Sequence, residues 1–182
     1  MSNDLEARVK ELEEAVATLK ANAPEDKLSM VVMSGDLDHL LAAFIIATGA
    51  SAMFEKVTMF FTFWATPALR DPAKKPPPKD FMSRMFGFML PKGSKRLALS
   101  NMHMAGMGTK MLKGLMKKKN VLSLEELIAR AADAGVQIYV CEMSMGLMGF
   151  AKEELIDYPN LKLAGVATFL GEAGASKSTL FI

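Results

Sequence analysis

The sequence contains very little cysteine, histidine or tryptophan. Among its 182 residues are one cysteine, two histidines and one tryptophan. A single cysteine excludes an intrachain disulfide and fits a reducing compartment, so a cytoplasmic location is predicted. Two histidines and one cysteine scattered along the chain lack the ligand spacing of a metal site, and neither a metal nor a cofactor is predicted.

Long apolar runs and the familiar catalytic motifs are also missing. The longest apolar run, Leu40 to Phe54, is interrupted by polar and glycine residues and is shorter than the roughly 18–20 residues of a membrane span. We interpret it as a buried helix. Residues 1–24 are charged and lack the apolar segment of a secretory signal. The absence of G-x-G-x-x-G, G-x-S-x-G, H-E-x-x-H and C-x-x-C argues against dinucleotide-binding, hydrolase, zinc-protease and dithiol sites.

Positive charge is concentrated in one segment of the chain. Residues 70–119 hold 13 of the 22 lysines and arginines, two acids and eight of the 16 methionines. This basic, methionine-rich insert predicts an acidic protein surface, lipid headgroups or a sister subunit as its contact, and peripheral membrane contact stays open. No nucleic-acid partner is expected.

The first residues have the pattern of a coiled-coil helix. Leu5, Val9, Leu12, Val16 and Leu19 alternate spacings of four and three over residues 3–22. A helix of under three heptads is too short to be stable alone, so it pairs with another subunit or packs on its own domain. We therefore divide the chain into an oligomerisation helix with a linker, residues 1–24, and a main domain, residues 25–182, and expect a homo-oligomer.

The main domain has the element order of an α/β protein. Strands are predicted at residues 28–33, 57–64, 136–141 and 178–182, and residues 161–163 start a further element of undecided type. Helices are predicted at 37–53, 102–119, 124–134, 144–156 and 166–173, with a short amphipathic segment at 81–90. The order predicts a flavodoxin-like, doubly wound fold, with a mostly parallel sheet and helices on both faces.

Cys141 lies where a predicted strand ends and a turn begins. The carboxyl ends of parallel strands carry ligands and chemistry, and a helix amino end favours a thiolate. A free cysteine is also often a small buried apolar residue, and both interpretations stay open. Amides near Ser144, Met145 and Gly146 are predicted to face an anion bound at this thiol.

His39 follows the first predicted strand, and its loop opens at the same edge of the sheet as Cys141. If the two strands are neighbours or nearly so, the imidazole can assist the thiol as a base. A hydrogen bond from His39 to Asp36 or to backbone is the alternative. Gly35 and Asp36 are predicted to line the same crevice.

The second histidine, His103, lies among methionines beside the basic segment. Histidine with methionine suits soft metals, but the ligand set is too sparse, so His103 is predicted only as a ligand-contacting residue.

Several motifs resemble the DsrE/DsrF-like family, in the branch sometimes labelled peroxiredoxin-like. They are M-S-G-D-L-D-H at residues 33–39, V-T-M-F-F-T-F-W at 57–64, N-M-H-M-A-G-M-G at 101–108 and C-E-M-S-M at 141–145. The resemblance covers about residues 27–182.

The resemblance implies an oligomeric α/β protein that relays sulfane sulfur as a persulfide, with TusA-like or rhodanese-like proteins as partners. The family cysteine corresponds to Cys141, and His39 is carried over as a pocket residue. The resemblance thus suggests a sulfurtransferase-like carrier, although an enzymatic activity is left undecided. The alternative is a non-enzymatic module that binds a small ligand and docks through its methionine-rich insert.

Overall fold

A computed structural model describes residues 2–182, with side chains from Leu5 onward. Five parallel strands form one sheet in the order β4-β3-β2-β1-β5. The strands are β1 (Glu25–Val32), β2 (Lys56–Phe61), β3 (Gln137–Cys141), β4 (Leu161–Ala164) and β5 (Ser176–Phe181). The predicted α/β class and parallel sheet are confirmed, and the undecided element at 161–163 is a strand.

Seven α-helices accompany the sheet in the described chain. They are α1 (Ser2–Ala21), α2 (Leu37–Ala50), α3 (Phe81–Met89), α4 (Met107–Lys118), α5 (Leu124–Asp133), α6 (Glu142–Leu147) and α7 (Val166–Gly174). A capping box opens α5: the Ser123 hydroxyl accepts from the Glu126 amide, and the Glu126 carboxylate accepts from the Ser123 amide.

The main core lies on one face of the sheet. Alternate strand residues such as Met30, Met59 and Ile138 are fully buried there against α2 and α5. The Phe44 ring of α2 lies 5.9 Å from that of Phe61 at the end of β2. Since successive strand residues point to opposite faces, the intervening residues face the other side, which α7 covers.

The order of the strands places all their carboxyl ends at the same edge of the sheet. Strands β1 to β4 follow one another across the sheet, and the chain then returns through α7 to place β5 beside β1. The carboxyl ends of all five strands therefore meet at one edge. In register, Val32 pairs with Phe61, Phe61 with Val140, and Cys141 with Ala164.

Several predicted elements extend beyond the observed ones, and three of them show a clear physical reason. The predicted helix at 144–156 is wrong, because α6 ends at Leu147 and Gly149 takes a left-handed φ of 68°. The helix predicted from residue 102 begins at Met107, after a left-handed turn at Ala105 and Gly106. The strand predicted to residue 64 ends at Phe61 and passes into a 3-10 segment.

Candidate functional site

Cys141 is the last residue of β3 and the residue that precedes α6. It is a free thiol and 3% exposed. It packs in a small apolar cluster with Phe60 of β2 and Phe169 of α7, whose rings stack with centroids 5.0 Å apart. Cys141 therefore lies at the carboxyl edge of the sheet, as its position at the end of a predicted strand indicated. Helix α7 covers it through Phe169.

Helix α7 is held on the sheet by one aromatic ring and one carboxylate. Phe169 is its one buried residue among the described side chains. Glu172 receives ion pairs of 2.9 Å from Lys27, which is buried, and from Lys56. Burial raises the pKa of Glu172, but the two lysine hydrogen bonds outweigh it and leave the pKa below its usual value. The cover over Cys141 is therefore an element with few anchors.

The residues predicted around the thiol have distinct positions. The Ser144 hydroxyl is buried and donates to the Cys141 carbonyl at 3.0 Å, which fixes the turn between β3 and α6. Met145 belongs to the main core at 4% exposure. Gly146 is exposed on α6. The Ser144 hydrogen bond is therefore made to the backbone of Cys141 and not to its thiol.

The structure does not form the expected pair between His39 and Cys141. Strand β2 lies between β1 and β3, and His39 belongs to α2, which packs on the face opposite α7. Nδ1 of His39 lies 3.5 Å from the Asp36 carboxylate, without hydrogen-bond geometry. Asp36 is therefore the nearby charged group, but the hydrogen bond expected in the alternative is not formed through this nitrogen. Asp36 is the residue before α2, but its side chain does not cap the helix.

Gly35 serves a packing purpose at this edge. A Cβ at residue 35 would lie 2.2 Å from the carbonyl oxygen of Trp64. The loop after β1 therefore approaches the segment after β2 more closely than any other residue type permits. The nearby Asp38 carboxylate accepts from the Ser100 amide at 2.9 Å. Burial raises the pKa of Asp38, yet the Ser100 hydrogen bonds lower it below its usual value.

His103 lies just before α4 and is exposed. Its Nδ1 is 3.1 Å from the Thr109 hydroxyl. In residues 2–182 as described, no three histidine, cysteine or carboxylate side chains gather as a metal site would require. His103 therefore has a local partner within the insert.

Comparison with known proteins identifies the family. Residues 24–181 match the DsrE/DsrF/DrsH-like family. The chain belongs to this family. The membership predicted from the motifs is confirmed, and the match includes Cys141 and the whole sheet.

Two family relatives cover most of this DsrE-like chain. The uncharacterised Bacillus subtilis protein YrkE is 45% identical over 86% of this chain and 96% of its own length. The sulfur carrier protein DsrE2 of Allochromatium vinosum is 35% identical over 87% of this chain and 99% of its own length. The solved structure of the E. coli protein ychN overlaps 86% of this chain and 99% of its own with a TM-score of 0.48 at 10% identity.

A buried ion cluster, missed by the sequence analysis, anchors the insert of this DsrE-like protein. Arg70 (5% exposed) donates to the Glu154 carboxylate (2% exposed) at 2.9 Å. Lys79 donates to the other carboxylate oxygen and, at 2.6 Å, to the Gly149 carbonyl. The Arg70 guanidinium also lies 4.6 Å from the centre of the Phe150 ring. No local pattern signals this cluster, because Arg70 and Glu154 are 84 residues apart.

The anchored insert exposes apolar side chains beside its lysines. On α3, Phe81, Phe88 and Met89 are 79%, 84% and 70% exposed. On α4, Met107, Met111 and Leu115 at spacings of four are more than half exposed. Such clustered apolar exposure is typical of an interaction surface. None of the helices in the described chain is both long and apolar enough to span a membrane.

Proposed function

We propose that this protein carries sulfane sulfur as a persulfide on Cys141. The observation that supports it best is the 35% identity, over 87% of this chain and 99% of the relative, to a protein named a sulfur carrier. Cys141 is the one thiol in the chain and lies at the end of a central strand. A carrier needs one nucleophilic thiolate, and a single cysteine suffices when the acceptor thiol belongs to a partner.

The proposed transfer conserves atoms and electron pairs. The Cys141 thiolate attacks the terminal sulfur of a donor persulfide, R–S–S⁻, forms a new S–S bond and releases R–S⁻. With thiosulfate as donor, the same attack releases sulfite. An acceptor thiolate then takes the outer sulfur and returns Cys141 to its thiolate. TusA-like and rhodanese-like proteins, the partners implied by the family resemblance, are the proposed donor or acceptor.

The apolar surroundings of Cys141 suit storage of the sulfur between the two transfers. Phe60 and Phe169 separate the thiol from solvent, which would keep water and oxidants from an outer sulfur that is easily lost or oxidised. Transfer then requires that α7 move aside, because a bulky donor cannot reach a residue that is 3% exposed. The Ser144 hydrogen bond would hold the Cys141 backbone in place during that movement.

Intact-mass spectrometry tests the proposal directly. The full chain and the Cys141→Ser variant are incubated with polysulfide or thiosulfate, and samples are measured before and after dithiothreitol. A gain of one or more sulfur atoms that is removed by dithiothreitol and absent from Cys141→Ser supports the carrier. Unmodified Cys141 in a folded protein with both donors would overturn it.

The same assay decides whether His39 assists. His39→Gln removes the titratable imidazole and keeps a polar side chain of similar length. A loading rate unchanged from the parent protein agrees with the observed pairing of His39 with Asp36. A tenfold lower loading rate in His39→Gln would instead support the predicted role of His39 as a base.

A second candidate function rests on the exposed surface of α3 and α4. We propose, as the alternative, a non-catalytic module that docks on anionic lipid through these helices, with Cys141 as a packing residue. Exposed Phe and Met side chains within a segment of 13 basic and two acidic residues suit a negatively charged bilayer surface.

Vesicle flotation separates this alternative from the carrier. The full chain is mixed with vesicles of phosphatidylcholine alone or with about one-third phosphatidylserine, a composition chosen for its negative surface potential. Flotation that needs phosphatidylserine and is lost in Phe88→Asp, but kept in the control Leu170→Asp on α7, supports docking. No flotation with either composition would refute it.

A further inference from the structure

Helix α1 has an apolar seam that the rest of its own chain leaves uncovered. Every side chain of α1 from Leu5 to Ala21 is exposed. The seam residues remain between 45% and 71% exposed, and they are Leu5, Val9, Leu12, Val16 and Leu19. Of the two possibilities that the sequence left open, packing back on the domain is therefore not the one observed.

The composition of the seam selects a partner. In heptad terms, Val9 and Val16 occupy a positions, and Leu5, Leu12 and Leu19 occupy d positions. A β-branched residue at a with leucine at d favours parallel, two-stranded coiled coils, because these shapes fit the two kinds of hole between two parallel helices. We propose that α1 pairs in parallel and in register with α1 of a second copy of this chain.

The charges beside the seam favour the parallel orientation. Arg8 is at a g position and Glu13 at the e position five residues later. In a parallel, in-register pair, Arg8 of each copy faces Glu13 of the other, which gives two attractive contacts. In an antiparallel pair, g residues face g residues and e residues face e residues, so the two contacts between Arg8 and Glu13 are lost.

The α1 seam is less suited to bind a lipid bilayer than to pair with a second copy of α1. The residues of α1 include five acids and three bases, so the helix repels an anionic bilayer. Its apolar stripe is limited to the a and d positions, which is the narrow pattern of a coiled coil rather than the broad face of an interfacial helix. Pairing of α1 is independent of any sulfur chemistry at Cys141.

The length of α1 sets the expected strength of the pair. A helix of 20 residues contains fewer than three heptads, and helices of this length are marginal alone. We therefore expect a reversible dimer whose population rises with protein concentration, rather than a permanent one. Breaking the seam should raise the dissociation constant at least tenfold.

Sedimentation equilibrium on the full chain tests the pairing. Leu12→Asp places a charge in the middle of the seam, while the control Ala7→Asp places the same charge on the opposite side of α1. We expect the parent protein and Ala7→Asp to dimerise, and Leu12→Asp to remain monomeric at the same concentrations. Circular dichroism on each variant shows whether the domain is folded.

Disulfide trapping tests the orientation. In a Cys141→Ser background, Leu19→Cys should cross-link to itself across the seam under mild oxidation, because equivalent d positions meet in a parallel pair. The control Ala21→Cys, on the outer side of α1, should not. Cross-linking of Leu5→Cys to Leu19→Cys in a mixture would overturn the parallel arrangement. A monomeric parent protein, or a dimer that survives Leu12→Asp, would overturn the inference as a whole.

Discussion

At the scale of single residues, Gly35 and Cys141 lie at the same edge of the sheet but in different surroundings. Each was predicted at the end of a strand, and the structure has Gly35 after β1 and Cys141 as the last residue of β3. What the sequence left open was their surroundings. Cys141 is covered by Phe169, which is 28 positions away along the chain, and Gly35 contacts the backbone of Trp64. Such contacts depend on the crossings between strands, which local patterns do not specify.

The Gly35 contact predicts a steric effect of substitution. Gly35→Ala would place a Cβ 2.2 Å from the Trp64 carbonyl oxygen, so the two loops must separate. We expect the free energy of unfolding to fall by roughly 2 kcal/mol, as in other overpacked sites. Urea denaturation measures the change.

Gly49 provides the matched control. It lies in α2, and a Cβ there would meet nothing within 4 Å. Because alanine is the better helix former, Gly49→Ala should leave stability unchanged or raise it by up to about 1 kcal/mol. Equal stabilities of the two variants would show that the loops after β1 and β2 separate without cost.

At the scale of elements, α7 is the one that decides access to Cys141. Its ring contact through Phe169 and its ion pairs through Glu172 are few for a helix that covers a sheet face. Elements with few buried contacts open locally at a smaller free-energy cost than the core. The proposed carrier uses this property, because the thiol must be enclosed while loaded and exposed during transfer.

Removal of the Phe169 ring should make Cys141 easier to reach. Phe169→Ala removes the stacked ring, and losing about 1.4 kcal/mol of docking free energy corresponds to a tenfold larger open population. Because alkylation requires the open state, we expect the rate of Cys141 alkylation by iodoacetamide at neutral pH to rise about tenfold. Mass spectrometry at timed intervals measures the rate.

Leu170→Ala is the control on the same helix, because Leu170 is 61% exposed and does not face the sheet cluster. Its alkylation rate should match that of the parent protein. If Phe169→Ala is folded and reacts no faster than Leu170→Ala, then α7 is not the barrier over Cys141.

The elements themselves were predicted unevenly, and the reasons are physical. The strands and α2 follow from local apolar patterning, and α5 from its apolar periodicity together with the capping box at Ser123. The helix expected at 144–156 failed because residues 154–156 are engaged by backbone bonds from Asp71 to the Glu154 carbonyl and from Ile156 to the Leu69 carbonyl. Hydrogen bonds to residues more than 80 positions away therefore determine the conformation of this segment, and local helix propensity does not.

At the scale of the whole molecule, the cluster of Arg70, Lys79 and Glu154 joins the insert to the main domain. The insert departs from the domain after Arg70, and Glu154 belongs to the segment between α6 and β4. The loop that leads to α3 has a further tie to this segment, because Lys74 donates to the Leu155 carbonyl at 2.8 Å. The cluster is the buried part of this attachment, which positions the exposed surface of α3 relative to the rest of the protein.

The charge of Glu154 predicts how stability depends on pH. Burial raises the pKa of Glu154, but hydrogen bonds from Lys79, the Ala151 amide and Arg70 outweigh it, and the pKa falls below its usual 4.5. A lowered folded-state pKa means that the carboxylate stabilises the fold above pH 4.5, and that this contribution is lost as the pH falls through the folded-state value.

Glu154→Gln should therefore destabilise the protein at pH 7 and much less in acid. At pH 7 the variant leaves two buried cations without their carboxylate, and we expect a loss of roughly 3 kcal/mol in the free energy of unfolding. As the pH falls through the lowered pKa, the parent protein loses the same contribution, and the two unfolding curves should converge. The neighbouring, exposed Glu153 gives the control, since Glu153→Gln should change stability by less than about 0.5 kcal/mol. A difference between Glu154→Gln and the parent that persists unchanged in acid would mean that shape, rather than charge, holds the insert in place.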